Sequence, residues 1–283
     1  MRERSQRFDP RQTMQKNTFE IFHYREPRMN PVEVHHHPFY EVYYLLEGNV
    51  EYWVEGRVVS LVPGDLLLIS PMELHRPVLT RGQVYERMVL WIHKDYLQSL
   101  GGEGFLPGES FDSPRHIQHI RPTASERTAL TARFGELVRE AYGTEPGAAL
   151  CAQGIFLQLL VQLCRLVSRS HGAGEQAESR STLIQRVLEY IHEDPARPMT
   201  LEQLAGMFFV SKYHLAHAFS REVGISLYRY VTMRRLILAQ QLLSQGYGAA
   251  ATGRLCGFSD YTGFYRAFCS EYGISPKHWK MQR

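Results

Sequence analysis

The sequence predicts a two-domain α+β chain: an N-terminal β-barrel with a helical hairpin, then an all-α domain of two helix-turn-helix units. Three observations lead there. From about Asn17 to Ile92, apolar residues recur with period two between Gly, Pro and Asp, the pattern of short strands in a barrel or sandwich. From Thr123 to Ser168 the period becomes helical. Roughly the last hundred residues then carry one helix–turn–helix layout twice, with Ser211 and Ser259 as equivalent positions.

Composition bounds the rest. The chain has 283 residues, 44% of them hydrophobic, enough for two cores. No run of about 18 apolar residues occurs, so no membrane span is expected. The opening MRERSQRFDPRQTMQK is basic and lacks an apolar stretch, so residues 1–16 are expected to form a flexible tail rather than a signal peptide. Cys151, Cys164, Cys256 and Cys269 fall in helical patterns without metal-site spacing. They read as small core residues in a reducing cytoplasm.

Taken in order, the strands are FYEVYYLLE, bracketed by Pro38 and Gly48, then VEYWVEG, RVVSLVPGD, LLLIS and VYERMVLWI. His35, His37 and Glu41 share odd numbering, so a regular strand would place them on one face with Tyr43. His75 follows Pro71, after the apolar run Leu66–Ile69. Three imidazoles and a carboxylate suit zinc, iron, nickel or manganese. The same four residues suit the polar lining of an organic-effector pocket. Tyr85, Arg87 and Trp91 share one face of the last strand, either lining that pocket or packing as core. The candidate metal ligands are therefore His35, His37, Glu41 and His75, and Tyr43 and Arg87 join them as candidate effector contacts. His36 points the other way and is expected in solvent.

Thr123 and Glu126 form a capping box that opens a helix to about Tyr142, with Leu130, Phe134, Leu137 and Val138 on one face. Gly143–Gly147 breaks it. A second helix, Ala148–Ser168, carries Ile155, Leu159, Leu160, Leu163 and Val167. HGAGEQAESR, residues 171–180, is small, polar and aperiodic, and reads as a flexible linker. The expected division is a tail over 1–16, a sensing domain over 17–170, the linker, and a helical domain over 181–283.

In that helical domain Thr200 and Gln203 form another capping box, Ser211 caps the next helix, and Gly224 stops it. Leu215, Ala218 and Phe219 face inward, leaving Lys212, Tyr213 and His217 outward. The second unit repeats this: Ser259 caps, Phe264 and Phe268 pack inward, Tyr261, Thr262, Tyr265 and Arg266 point outward, and Gly273 stops the helix. Outward residues near the start of such a second helix reach base edges in the major groove. Residues 181–283 hold twelve Lys and Arg against seven Asp and Glu, a balance of +5 in a chain of +3. A basic terminal domain on a near-neutral body fits phosphate contact.

The C-terminal segment, from about Leu183 to Trp279, resembles the DNA-binding domain of the AraC/XylS family of bacterial transcription regulators. The resemblance rests on Gly257-Phe258, Asp260, Phe264, Arg266 and Phe268, followed by Gly273, Ser275 and Pro276. It implies a seven-helix domain whose two recognition helices are joined by a long helix over Leu227–Ser244. Residues 30–95 resemble cupin barrels: His35, His37, Glu41 and Gly48 fit the first cupin motif. Pro63-Gly64-Asp65, Pro71 and His75 fit the second, except that Met72-Glu73-Leu74 stands where cupins place a Gly two residues after the Pro. The fold expectation is thus a cupin-like sensor followed by the double helix-turn-helix domain.

The functional expectation is a cytoplasmic transcription regulator, by family default an activator. Its partners would be promoter DNA, RNA polymerase and a small-molecule or metal effector. In the resembling regulators the helical hairpin often forms a dimer interface, which implies a homodimer through residues 123–170 with Phe156, Leu159, Leu163 and Leu166 in contact. Arg266 is the first candidate for a base or phosphate contact, since Arg pairs bidentately with guanine. Tyr213, His217, Tyr261, Thr262 and Tyr265 follow, and Lys212 and Lys277 are expected on phosphate. The family usually has Ala at Gly253. Gly inside a helix costs about 1 kcal/mol relative to Ala, so the second unit is expected to be loosely held. Two rival readings are a metal-dependent cupin enzyme with a helical attachment, and a helical domain that binds protein rather than DNA.

Overall fold

The computed structural model describes residues 13–27, 32–79, 84–102, 104–112, 118–171 and 182–281. The chain divides into two compact units between residues 177 and 178. The expected linker lies outside the described residues except for His171, the last residue of its preceding helix.

The first unit begins with β1 (Phe19–Glu26), β2 (Tyr40–Glu47), β3 (Val50–Val54), β4 (Arg57–Leu61), β5 (Leu66–Ile69), β6 (His75–Leu79) and β7 (Tyr85–Ile92). Short helices α1 (Lys94–Ser99) and α2 (Pro107–Phe111), strand β8 (Gln118–Ile120), and the long helices α3 (Ala124–Ala141) and α4 (Ala148–His171) complete it. A five-stranded sheet runs β1-β7-β2-β5-β8 and a three-stranded sheet runs β4-β3-β6. Both sheets contribute to one interior: Tyr43, Leu45, Tyr85, Val89 and Trp91 from the larger, Val50, Tyr52, Val54 and Leu61 from the smaller.

Central strands β2 and β7 are buried on both faces, and the period-two rule sorts their side chains. Odd positions from Glu41 to Leu45 and from Tyr85 to Trp91 enter the interior. Even positions Tyr40, Val42, Tyr44, Met88, Leu90 and Ile92 pack under the helical hairpin with Leu130, Phe134, Phe156, Leu159 and Leu163. Phe19 stacks on Phe156 at 4.3 Å and Tyr44 on Phe134 at 5.1 Å.

Several expectations change here. Phe156, Leu159, Leu163 and Leu166 are all buried in this core, so they are not available as dimer contacts; the sheet claims the most apolar stripe of α4. Ala148–Ser170 is long and apolar enough to cross a membrane, a property it shares with core helices, and here its apolar face covers the sheet. Residues 13–16 of the expected tail are tied down: the amides of Gln15 and Lys16 donate to Glu20 Oε1 at 2.5 and 2.6 Å, and Met14 packs on the interior cluster. Cys164 and Cys256 are buried as expected, but Cys151 is exposed and Cys269 only half-buried.

The second unit is all-helical: α5 (Leu183–Glu193), α6 (Leu201–Met207), α7 (Lys212–Val223), α8 (Leu227–Ser244), α9 (Ala249–Leu255), α10 (Tyr261–Tyr272) and α11 (Pro276–Met281). The expected bounds of α8 hold to the residue. α8 touches both α7 and α10, and Arg235 on it donates to the carbonyls of Pro195 and Arg197 at 2.9 and 3.1 Å. The linking helix is thereby fixed to the loop that precedes α6.

Candidate effector and DNA-binding sites

The strand that was to carry both histidines is interrupted. Pro38 has no N–H for a ladder, and β2 starts only at Tyr40. His35 instead makes an isolated antiparallel bridge with His75, its amide donating to the His75 carbonyl at 3.1 Å and the reverse bond measuring 2.9 Å. His37 lies between that bridge and β2. The side chains still converge: ligand atoms of His37, Glu41 and His75, all buried, lie within 4.8 Å of one another. His35 is beside them, its ring 4.3 Å from that of His75 and 6.3 Å from that of His37, but it falls outside that group of three. His36 is half-buried, not fully in solvent.

Each imidazole is held in one tautomer. Nδ1 of His35, His37 and His75 donates to the carbonyls of Glu33, Phe39 and Glu73 at 2.9, 2.9 and 2.8 Å. A carbonyl only accepts, so Nδ1 carries the proton and Nε2 of a neutral ring is a bare lone pair. The Nε2 atoms of His37 and His75 are buried without a hydrogen-bond partner. His37 Nε2 sits 3.3 Å from Glu41 Oε2. A lone pair facing a buried carboxylate is repulsive unless a proton or a metal ion lies between them. Such backbone-locked histidines are the usual supports of a metal ligand.

Glu41 is oriented from two sides. Trp91 Nε1 donates to Oε2 at 2.8 Å and the Tyr52 hydroxyl lies 3.4 Å from Oε1. Burial pushes its carboxyl up, while positive charge on the imidazole side, which a proton or a metal ion at Nε2 supplies, outweighs that and holds it down to about 2. Burial lowers His75 well below the ordinary imidazole range and lowers His35 as well, each helped by its histidine neighbours. With a metal on Nε2 the donor set is imidazole plus carboxylate, which fits a divalent transition ion. A tetrahedral site with bonds of about 2.1 Å spaces its ligands about 3.4 Å apart, so a modest inward shift closes the three around an ion.

Tyr43 and Arg87 both reach the interior, as their strand positions require. The hydroxyls of Tyr43 and Tyr85 touch. The Arg87 guanidinium lies over the rings of Tyr85 and Tyr24 at 4.3 and 4.8 Å and donates to Glu26 at 3.0 Å. Burial opposes its charge, but the two tyrosine oxygens and Glu26 hold its pKa above the ordinary value. His35, Glu41, Tyr43, Tyr52, Tyr85, Arg87 and Trp91 line a cavity of about 30 Å³. Tyr85 and Trp91 are therefore both core and lining. Tyr52 was not anticipated, although its place between Val50 and Val54 on the inward face of β3 was a usable signal. The carbonyl locks on the histidines had none.

In the second unit every candidate nucleic-acid contact is exposed: Lys212, Tyr213 and His217 on α7, Tyr261, Thr262, Tyr265 and Arg266 on α10, and Lys277 on α11. Tyr213 is 78% exposed. Lys212 is engaged by Glu202, Nζ to Oε1 at 3.2 Å. Ser211 caps α7, its side chain accepting from the His214 amide. On α10 the cap is Asp260 rather than Ser259: its Oδ1 accepts from the Gly263 amide at 2.7 Å, and a carboxylate suits a helix N-terminus. The repeat offset is therefore 49 residues, from Ser211 to Asp260 and equally from Gly224 to Gly273, both of which end their helices left-handed. The turn before α7 passes through Phe209 at φ 56 with the ring 95% exposed; no packing in the structure accounts for an aromatic there.

The expected looseness of the second unit is not what packing shows. Phe264 and Phe268 are fully buried, and a Cβ on Gly253 would sit 2.9 Å from Phe264 Cδ1. Glycine there admits the phenyl ring. Gly257, at φ 80, likewise admits the Ala196 carbonyl, which would lie 2.2 Å from a Cβ.

Known proteins share both halves. A family model described as AraC-like ligand binding domain matches residues 19–160, and one described as helix-turn-helix domain matches residues 204–282. An uncharacterised HTH-type transcriptional regulator of Bacillus subtilis, YbfI, is 28% identical over 230 residues, covering 80% of this chain and 78% of its own length. The HTH-type transcriptional activator RhaR of Salmonella schwarzengrund is 24% identical over 247 residues, covering 87% and 86%. Among solved structures, ToxT from Vibrio cholerae with a bound unsaturated fatty acid aligns over 95% of this chain and 97% of its own, at 12% identity and a TM-score of 0.41.

Proposed function

The chain belongs to the AraC family of transcription regulators, with a ligand-binding domain and a DNA-binding helix-turn-helix domain, and we propose that its ligand-binding half is governed by a transition metal held by His37, Glu41 and His75. The observation that carries this is the pair of buried, unbonded Nε2 atoms beside the Glu41 carboxylate. His35 stands by as a fourth donor. When bound, the metal supplies positive charge and open coordination positions. The protein's own contribution is to lock the tautomers, hold Glu41 through Trp91 and Tyr52, and keep the site dry. The family relatives are regulators, which supports regulation over turnover at this site.

In the same reading α7 and α10 enter successive major grooves, about 34 Å apart along DNA. Arg266 contacts a base or phosphate, Tyr213, His217, Tyr261, Thr262 and Tyr265 contact the groove, and Lys212 and Lys277 contact phosphate. The regulator works in the cytoplasm as an activator that engages RNA polymerase, and as a homodimer. Its dimer contacts are the outward residues of α4: Leu150, Gly154, Leu157 and Val161 recur at helical spacing, Leu150 is 74% exposed, and a Cβ on Gly154 would meet open space.

Two measurements test this. Elemental analysis of the purified chain should give about one transition metal per chain, lost in His37→Ala; a metal-free chain that takes up none on addition of Zn²⁺ or Ni²⁺ rejects the metal reading. Arg266→Ala should weaken binding to a cognate promoter site by roughly 1–3 kcal/mol in a mobility-shift titration, and unchanged affinity removes Arg266 from the contacts.

A further inference from the structure

Resting on the metal reading above, we infer that the effector which completes this site is a small monocarboxylate, bound between the metal and Arg87. The first observation is size. The cavity holds about 30 Å³, against roughly 300–1,000 Å³ for the pockets of drug-sized ligands. It has room for a few heavy atoms and none for a sugar or a fatty chain.

The second is charge. Among the described residues lining the cavity, Glu41 is the one carboxylate and Arg87 the one guanidinium, and their formal charges offset one another. Glu26 on Arg87 supplies one further negative charge. A metal bonded at Nε2 takes the place of a second proton, so the ligating histidines, each with Nδ1–H on a carbonyl, add no charge of their own. A divalent ion therefore leaves this group of side chains with one positive charge in excess. An uncompensated buried charge is costly, so one small anion is the natural complement.

The third is donor placement. Among the described residues three protein ligands converge, with His35 as a fourth beside them, and a five- or six-coordinate ion on either set keeps a position for an outside oxygen. Glu41 lines the cavity that also holds the Arg87 side chain and the Tyr43, Tyr52 and Tyr85 rings. A carboxylate with one oxygen on the metal points its other oxygen into donors: a guanidinium, whose fork matches carboxylates, and tyrosine hydroxyls. A tyrosine hydroxyl is protonated at neutral pH and can donate.

The test uses the full-length chain loaded with Co²⁺, whose visible spectrum reports its ligands, with acetate and formate as probes. Trp91, hydrogen-bonded to Glu41, gives a fluorescence readout that works with or without metal. The expected result is one Co²⁺ per chain, a saturable spectral change on adding acetate, and at least about tenfold tighter acetate binding than by the metal-free chain. Arg87→Lys should weaken acetate by about tenfold while retaining one Co²⁺. If that variant does not fold, the comparison of loaded and metal-free unmutated chain decides alone. One Co²⁺ bound with neither signal responding to acetate or formate, or equal acetate affinity with and without metal, overturns the monocarboxylate inference and leaves the metal reading standing. No Co²⁺ bound at all overturns both.

Discussion

Asp65 shows how much a single buried carboxylate does in the sensor half. It accepts from His119 Nε2 at 2.9 Å, from Arg121 Nε and Nη2 at 3.1 and 2.9 Å, and from the Val62 amide at 3.1 Å. It thereby ties β8 and the segment after it to the β4–β5 turn. Burial pushes its carboxyl up, but the His119, Arg121 and Val62 hydrogen bonds outweigh that and hold it down to about 2, against about 3.9 when unfolded. A depressed folded value means the contribution is fully present above about pH 4 and is lost as pH falls through about 2. Asp65→Asn should therefore cost roughly 1–2 kcal/mol at neutral pH, a range reduced because Arg121 is largely in solvent. The deficit should shrink toward zero near pH 2, which denaturant midpoints measured across pH would show; a deficit independent of pH would reject the linkage.

Among the elements, α9 is where helix propensity and packing point in opposite directions. By propensity alone Gly253→Ala gains about 1 kcal/mol. By packing, the new Cβ meets three atoms of Phe264 at 2.9–3.2 Å, and overpacking costs about 1–3 kcal/mol. Phe264 sits among Leu236, Ala239, Leu243 and Phe268 and has little freedom to retreat. The substitution is expected to destabilise the chain by roughly 1–2 kcal/mol in equilibrium unfolding, and adding Phe264→Leu should recover part of it. A stabilised Gly253→Ala chain would mean that α9 moves readily and that the second recognition helix is less firmly supported than its burial implies.

For the whole molecule, the proposed dimer depends on which face of α4 remains after the sheet is covered. The inward face is fully used by the barrel, so the outward row through Leu150 and Leu157 is what a second copy would meet. Leu157→Asp puts a charge into that contact without touching the core. It should shift a dimer to monomer in sedimentation equilibrium, with unfolding stability of the isolated chain nearly unchanged. A dimer of unaltered strength would place the interface elsewhere.

Local patterns were enough for most of the elements, because they depend on near neighbours in the chain. The capping boxes at Thr123 and Thr200, the span of α8, the glycine stops at Gly224 and Gly273, and the outward faces of α7 and α10 follow from spacing and cap chemistry. Which side chains of β2 and β7 share a face followed from period two. The sequence by itself also carried the family, through the residues from Gly257 to Pro276. What it left open depends on contacts between distant segments. Whether His35, His37 and Glu41 share a strand was decided by Pro38 and the bridge to His75. Which face of α4 is free was decided by the sheet, and whether Gly253 weakens a helix or admits a ring was decided by Phe264. The direction of each histidine lone pair was set by carbonyls of Glu33, Phe39 and Glu73. A backbone carbonyl looks the same in every residue, so no sequence pattern could mark it; only the folded chain brings it to the ring and turns three histidines into a site.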